Sequence, residues 1–207
     1  MENSFYSLTQ ILICDPVAPN RAATRSALYS LGCRNIEIVA SLRDFIDALD
    51  RRPPDIAICE IQAGEEELCK AIRVIRRDPH SYNPFVIIIV TAWTTNAALI
   101  SQISNAGADD LLLRPFSASV LDRRIHAHVL RRKRFVVAAD YIGPERRTGR
   151  ARASDVISLD PPNSIKIKTE VRANSEEAAR RFEIELRAAR AKLNAGKLHT
   201  SNLVDLS

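Results

Sequence analysis

The 207-residue chain has few aromatic residues, no long hydrophobic run and no paired cysteine motif. Aromatic residues make up 5% of it, which leaves few side chains for stacking on nucleobases. Because no run of 18 apolar residues occurs and residues 1–10 lack a basic flank and an apolar signal core, we expect a cytoplasmic protein without membrane insertion. The cysteines lack CxxC spacing, which argues against a zinc site and predicts buried thiols in a reducing compartment: Cys14, Cys33, Cys59 and Cys69.

Charge is unevenly distributed along the chain. Residues 1–130 hold 13 Lys or Arg against 15 Asp or Glu, whereas residues 131–207 hold 17 against 10. The length fits one domain of ordinary size plus a tail, so the basic character belongs to the tail. A basic tail suits nucleic acid, an anionic membrane surface or an acidic protein, and charge alone does not choose among them.

Apolar runs of strand length alternate with helical periodicity over residues 10–130. Strands are predicted at Gln10–Cys14, Ile36–Ala40, Ile56–Cys59, Phe85–Val90 and Leu111–Leu113. Helices are predicted after each strand, with Asn20, Ser41 and Ser117 as N-caps, and over Gly64–Arg77 and Thr95–Asn105. Five βα units in succession predict an α/β fold: a five-stranded parallel sheet with right-handed crossovers and helices on both faces.

Four of the predicted strands are followed or ended by a polar residue: Asp15, Glu60, Thr91 and Arg114. Because the carboxyl ends of parallel strands meet at one edge of a sheet, where ligands and chemistry collect, these side chains are predicted to share a site. Glu60 directly follows an apolar run that is predicted to be buried. Considered alone, it is also consistent with an ordinary solvent-exposed glutamate in a loop.

The motifs ILICDP, PDIAICEI, VTAW and AGADDLLLRPF occur in this order at spacings that resemble the receiver domain of bacterial response regulators. The resemblance covers about residues 8–132 and implies a CheY-like, flavodoxin-like fold with strand order 2-1-3-4-5, in a domain spanning 1–135. Receivers take a phosphoryl group from a histidine kinase onto an aspartate, with Mg²⁺ held by that aspartate and an acidic pair. A lysine and a threonine or serine contact the phosphoryl oxygens.

The chain departs from this pattern at three positions. Pro16 replaces the second acid beside Asp15, which weakens any Mg²⁺ site. Glu60 stands at the phosphorylated position and extends the carboxylate by about 1.5 Å, one carbon–carbon bond. A displacement of ~1 Å can lower a rate about a hundredfold where positioning provides most of the catalysis. Arg114 replaces the lysine, and only Thr91 and Asp15 are unaltered.

We hypothesise that Glu60 and Arg114 form a bidentate ion pair across the site without a metal. The alternative is neutral decay of an unused site. Leu111 stands at the family's aromatic switch position, which favours a constitutive binding surface over a switch. Trp93, shortly after Thr91, is a candidate for partner contact, and packing against the fourth helix is the alternative.

The tail begins with basic residues that either stabilise the end of the fifth helix or contact phosphate: Arg131, Arg132, Lys133, Arg134, Arg146, Arg147 and Arg150. Residues 136–173 are rich in Arg, Pro, Gly and Ser, which predicts a disordered linker with a short extended patch at Ile165–Lys168. The sequence DYIGPERRTGR at 140–150 resembles a motif that follows receivers in some bacterial proteins.

A capping box of Asn174 and Glu177 predicts an amphipathic helix over 174–194, before a flexible C-terminus at 195–207. Its apolar face is Ala179, Phe182, Leu186, Ala189 and Leu193. Of these, Phe182, Leu186 and Leu193 are candidates for contact with a partner, with a second copy in a homodimer, or with the chain's own first domain. One helix does not predict a helix-turn-helix.

Together these features predict a pseudo-receiver: a signalling adaptor in a two-component phosphorelay that is not an enzyme and needs no cofactor. Its expected partner is a histidine kinase or a downstream signalling protein. Two alternatives remain open. One is a phosphorylatable response regulator that uses Glu60, and the other is a nucleic-acid-binding regulator that uses the basic tail.

Overall fold

Five parallel strands in the order β2-β1-β3-β4-β5 form the central sheet. The computed structural model describes residues 5–78, 81–138, 141–146, 156–171 and 174–204, and for Asp50 and residues 198–204 it describes the backbone alone. The strands of this sheet are β1 Gln10–Cys14, β2 Asn35–Val39, β3 Ile56–Glu60, β4 Ile87–Ala92 and β5 Asp110–Leu113. The helices that connect and follow them are α1 Ala18–Ser30, α2 Leu42–Arg51, α3 Glu65–Arg77, α4 Ala97–Ala106 and α5 Ala118–Leu130. The predicted fold class and strand order are therefore confirmed.

The two faces of the sheet form two separate hydrophobic cores. Leu12, Ala57 and Ile88 point to a core shared with α2, α3 and α4, whereas Ile11 and Ile58 point to a core shared with α1 and α5. The residues of β1, β3 and β4 are buried throughout because helices cover both sides of these strands. This accounts for the uninterrupted apolar runs in the sequence.

Two of the three predicted helix caps are present. The hydroxyl of Ser41 accepts from the Asp44 amide at 3.2 Å, and that of Ser117 accepts from the Val120 amide at 3.3 Å. The assignment of Asn20 is wrong, since α1 already begins at Ala18 and places Pro19 in its first turn. Proline is favoured there because the first helical amides have no partner within the helix.

β4 begins two residues later than the apolar run suggested. The Phe85 amide donates to the side chain of Asn83 at 3.0 Å, and the Phe85 carbonyl accepts from Arg132. With both backbone groups engaged elsewhere, Phe85 does not join the ladder, and its buried ring belongs to a different core.

The region predicted as a disordered linker contains regular structure. Its elements are β6 Phe135–Val137, β7 Ile142–Pro144, β8 Ile157–Leu159 and α6 Ser164–Val171. The three strands form an antiparallel sheet in the order β7-β6-β8. Strands of three residues are too short to give a period of two that stands out from the surrounding polar sequence.

The predicted extended patch at Ile165–Lys168 is instead part of α6. Asn163 precedes this helix, and its side-chain oxygen accepts from the Lys166 amide at 3.1 Å. Ile165 and Ile167 are buried, so tertiary packing decides the conformation despite the β-branched residues.

The last helix, α7, spans Ser175–Val204 and is longer than predicted. The Asn174 side chain accepts from the Glu177 amide at 3.0 Å, which confirms the cap. Most of the predicted apolar face of α7 packs within the chain, in a third core together with Phe85, Phe135 and the small sheet. Leu186 and Leu193 are buried there, and Phe182 packs against them, so in this structure the predicted partner-binding residues contact their own chain. The assignment of Ala179 to this face is wrong, since Ala179 is exposed and Ala178 is buried.

Candidate functional site

Four polar side chains meet at the carboxyl edge of the parallel sheet. Glu60 ends β3 and lies beside Thr91 in β4, while Asp15 and Arg114 follow β1 and β5. Asp15, Glu60 and Thr91 have no exposed surface, and Arg114 is 8% exposed. The four residues that the sequence assigned to one site are thus brought together, in a closed cluster.

Arg114 joins two carboxylates. Its Nε donates to Oε2 of Glu60 at 2.7 Å, and its Nη2 donates to Oδ2 of Asp15 at 2.9 Å. The predicted ion pair between Glu60 and Arg114 is present, but the prediction that it is bidentate is wrong. The guanidinium presents donors in several directions, and Asp15 lies close enough to take the second one.

Two further residues hold Arg114 in place. The hydroxyl of Thr24, buried in α1, accepts from Nη2 at 3.1 Å. The ring of Phe116 lies 5.0 Å from the guanidinium carbon, within the range of a cation–π contact. Sequence reasoning missed both. The only signal was a threonine among the inward positions of the first helix and an aromatic residue two positions after the arginine.

Thr91 is also engaged within the cluster. Its hydroxyl donates to Oε2 of Glu60 at 2.7 Å and accepts from Nη2 of Arg114 at 3.4 Å. Oε2 of Glu60 therefore receives two donors, whereas Oε1 is buried with no hydrogen-bond partner among the described residues. A buried oxygen without a donor costs about 1–3 kcal/mol, so the cluster favours one carboxylate oxygen at the expense of the other.

A family model for the response regulator receiver domain matches residues 11–126, which is more than half of the chain. The chain belongs to this family. Its signalling class, a receiver of two-component systems, follows from that membership.

Two curated proteins are similar to this chain over stretches longer than the one that the family model matches. The KDP operon transcriptional regulatory protein KdpE of Escherichia coli (strain K12) is 28% identical over 133 residues, which cover 64% of this chain and 56% of KdpE. The transcriptional regulatory protein YvrH of Bacillus subtilis (strain 168) is 26% identical over 164 residues, covering 79% of this chain and 62% of YvrH. The chain thus spans less than two thirds of the length of either relative.

Solved receiver structures resemble the parallel-sheet domain. A receiver domain from Bermanella marisrubri is 26% identical with a TM-score of 0.50, covering 56% of this chain and 94% of that one. A CheY-like receiver from Methanospirillum hungatei JF-1 is 19% identical with a TM-score of 0.52, covering 60% and 95%. Chemotaxis response regulator CheY4 of Vibrio cholerae is 18% identical with a TM-score of 0.51, covering 57% and 96%. The last two show the fold alone.

The residues at the receiver site do not fit the Mg²⁺ ion that the family implies. Oδ1 of Asp15 accepts from the Val17 amide at 2.8 Å and Oδ2 from Arg114, while Pro16 has no side-chain ligand atom. The guanidinium places a positive charge between the two carboxylates, where a cation would otherwise be held. Within the described ranges, no group of three or more His, Cys, Asp or Glu side chains is arranged to hold a metal ion.

Leu111, at the aromatic switch position, and Trp93, the candidate for partner contact, differ in exposure. Leu111 is half-buried and packs against the core beneath α4, whereas Trp93 is 47% exposed. Ile100 in α4 and Leu113 in β5 are exposed to a similar extent. The surface around the start of α4 therefore presents large apolar side chains to solvent.

Most of the described basic residues at the start of the tail have structural contacts. Arg132 donates to the carbonyl of Phe85, Arg134 pairs with Asp160 at 3.0 Å, and Arg146 lies over the ring of Tyr141. Burial lowers the pKa of Arg132 to about 10. Exposed residues of the predicted basic patch are Arg131, Lys133, Arg134 and Arg146, while Arg147 and Arg150 lie outside the described residues.

All four cysteines are free and buried, as predicted. Burial raises the pKa of the Cys14 and Cys33 thiols to about 12, which makes them poor nucleophiles in the folded protein. In the part of the chain that the structure describes, no helix has the length and apolar character needed to cross a membrane.

Proposed function

We propose that this receiver signals without being phosphorylated, as a non-enzymatic adaptor that works through protein contacts in a bacterial two-component pathway. The observation that carries the proposal is the position of Arg114, whose guanidinium bridges the buried carboxylates of Asp15 and Glu60. The proposal places the chain in the cytoplasm, in keeping with its four free thiols.

The cluster opposes phosphoryl transfer in two ways. Oε2 of Glu60 already accepts from Arg114 and Thr91, both at 2.7 Å, and Oε1 is buried with no solvent-exposed surface. In addition, a guanidinium already lies between the two carboxylates, so a metal ion would have to displace it. A phosphoryl donor therefore meets a site in which neither carboxylate has exposed surface.

The same contacts hold the receiver in one state. The hydroxyl of Thr91 donates to Glu60 and accepts from Arg114, so it is directed into the site. With Leu111 in place of the aromatic switch residue, one fixed surface is available to a partner.

A phosphorylation assay tests the proposal. Purified protein is incubated with Mg²⁺ and radiolabelled acetyl phosphate beside the triple variant Pro16→Asp, Glu60→Asp, Arg114→Lys, which restores the family's residues. We expect incorporation in the variant and none in the wild type. Label that enters the wild type and disappears in Glu60→Gln would establish the alternative, a phosphorylatable regulator.

The partner surface is proposed to lie around Trp93. The register pairs Ala92, the residue before Trp93, with the exposed Leu113, and the exposed Ile100 lies in α4. Partially exposed tryptophan is enriched at the centres of protein interfaces. Affinity capture with Trp93→Ala is expected to lose the kinase or downstream protein that the wild type retains, while Tyr82→Ala, a matched change at a 56% exposed aromatic residue elsewhere, keeps it.

A nucleic-acid role is the second candidate, favoured by the names of the two transcriptional relatives and by the exposed Arg131 and Lys133. Of the basic residues that suggested it, Arg132 is engaged in intramolecular contacts. A salt-dependent gel shift of duplex DNA that is lost in Arg131→Gln, Lys133→Gln would establish this role, and no shift at low salt would remove it.

A further inference from the structure

The C-terminal module, defined here as described residues 135–138, 141–146, 156–171 and 174–197, contacts the receiver at the sheet edge opposite Glu60. Asp55 directly precedes β3, and its Oδ2 accepts from Lys168 Nζ at 2.6 Å and from the Gln10 amide at 2.7 Å. Its Oδ1 accepts from the Ser164 hydroxyl. The Asp55 side chain is 5% exposed, so α6 supplies two of the donors for a buried carboxylate of the receiver.

A second contact fixes the segment between α3 and β4. Arg190 of α7 donates to the carbonyls of Ser81 and Tyr82. Arg132, which lies between α5 and the module, donates to the Phe85 carbonyl. Lys197 donates to the carbonyl of Arg77, at the end of α3. These carbonyls lie on the approach to β4, the strand that carries Thr91.

The module also covers a buried guanidinium of the receiver. Arg76 in α3 has no exposed surface; it pairs with Asp109 at 2.8 Å and donates to the carbonyls of Pro84, Val86 and Gly107. The ring of Phe135 in β6 lies 5.2 Å from its guanidinium carbon. Burial lowers the pKa of Arg76, because a charged guanidinium is less favourable away from water. Without Phe135 one face of the guanidinium would be open to water.

Apolar packing continues across the same boundary. Phe85 of the receiver lies with its ring centroid 5.0 Å from that of Phe135, edge to face. Both belong to the core that includes Leu186, Ala189 and Leu193 of α7. A core that contains residues of both parts cannot persist in either part alone.

We infer that the C-terminal module is a fixed strap across the amino-terminal edge of the receiver sheet, and that receiver and strap unfold as a single cooperative unit. The chain then reaches its partner as one rigid body, in contrast to a receiver that releases a tail. This inference does not depend on whether Glu60 is phosphorylated.

Hydrogen exchange of the full chain tests the inference. Leu186→Ala removes a buried side chain from the strap, and Ile184→Ala is the matched control, since Ile184 is 69% exposed on the same helix. If the two parts are one unit, Leu186→Ala accelerates exchange in β1, in β3 and in α7 by the same factor, at least about thirtyfold. Ile184→Ala is expected to leave all three unchanged. Acceleration confined to α7 and the small sheet would overturn the inference.

Thiol labelling gives an independent readout, because all four cysteines lie in the receiver and none in the strap. With Ellman's reagent at pH 8, Leu186→Ala is expected to accelerate labelling of Cys59 by the same factor as amide exchange. If Leu186→Ala fails to fold, the fate of the receiver decides: loss of Cys59 protection supports one unit, and retained protection contradicts it. Lys168→Met, with exposed Lys166→Met as control, provides a milder test of the same kind.

Discussion

Nε of Arg114 lies 2.7 Å from Oε2 of Glu60, the same oxygen that accepts the hydroxyl proton of Thr91. In the family this neighbourhood is built to hold a cation and a transferred phosphoryl group. Here a carboxylate that is longer by one methylene and a longer cation satisfy each other. The residues at positions 60 and 114 thus form the ion pair that the first hypothesis predicts.

Removal of the guanidinium should destabilise the fold strongly. Arg114→Met leaves the buried carboxylates of Asp15 and Glu60 without their shared cation, and we expect a loss of about 3–5 kcal/mol in the free energy of unfolding. Urea denaturation followed by fluorescence of the single Trp93 measures this loss. The control is Arg124→Met, whose surface pair with Asp110 is half-exposed and worth about 0–1 kcal/mol. Equal losses in the two variants would show that the buried bridge contributes nothing beyond a surface pair.

Thr24 should contribute to the free energy of unfolding only through its hydrogen bond with Arg114. Thr24→Val keeps the shape of the side chain and removes the acceptor for Nη2, so a loss of about 1–3 kcal/mol is expected. In a double-mutant cycle the loss should largely vanish when Arg114 is already methionine. Additive losses would mean that Thr24 acts through another contact.

The fold class and strand order followed from the sequence because helices cover both faces of the sheet, which forces long apolar runs such as Ile56–Cys59 and Ile87–Val90. The site residues followed because strand ends meet at one edge. The division of the Arg114 fork between Glu60 and Asp15 did not follow, since side-chain direction is set by neighbours distant in sequence, Thr24 among them.

The prediction for the tail was less accurate than the prediction for the parallel sheet and its helices. The sequence suggested a disordered linker where three short strands and α6 are present. Strands of three residues are stabilised by what they contact, and the contacts of β6 are with Arg76 and Phe85, about 50 residues or more earlier in the chain. The amphipathic face of α7 was recognised, but the pattern does not state what covers it, and the small sheet that does was not predicted.

Asp110 should make the stability sensitive to acid. Burial raises the pKa of its carboxyl, but this is outweighed by the hydrogen bond and charge of His128 and by Arg124, so that the net pKa is lowered. A carboxyl with a lowered pKa in the folded state stabilises the fold above its unfolded pKa of about 3.9, and this contribution is lost as the pH falls through the folded pKa. Asp110→Asn should therefore be less stable than wild type at pH 7 and should lose less stability between pH 5 and 3.

Urea midpoints at several pH values measure this difference. Asp160→Asn serves as control, because the Asp160 side chain is 83% exposed in its pair with Arg134. It should follow the wild-type curve. If the urea midpoint of Asp110→Asn falls as steeply at low pH as that of wild type, the acid sensitivity comes from other carboxyl groups.

Alanine substitutions at two glycines distinguish the cost of backbone strain from the cost of packing against the strap. Gly32 and Gly107 have φ angles of 99° and 103°, so alanine is strained to a similar degree at either position. At Gly32 the added Cβ would lie 3.8 Å from the nearest atom, Cβ of Tyr6, in ordinary contact. At Gly107 it would lie 2.9 Å from the carbonyl oxygen of Ile142 in β7, which is backbone and cannot rotate away.

Gly32→Ala should therefore cost about 1–2 kcal/mol, from backbone strain alone. Gly107→Ala should cost about 1–3 kcal/mol more, because β7 has to move away and the side chain of Arg76, with Cγ at 3.1 Å, has to shift. Urea denaturation gives both values, and the difference between them measures how tightly Gly107 is packed against β7 and Arg76. If the strap is only loosely attached, β7 yields at no cost and the two variants have the same stability; a larger loss in Gly107→Ala, together with faster amide exchange in β6 and β7, would show that the contact between Gly107 and Ile142 helps to hold the strap in place.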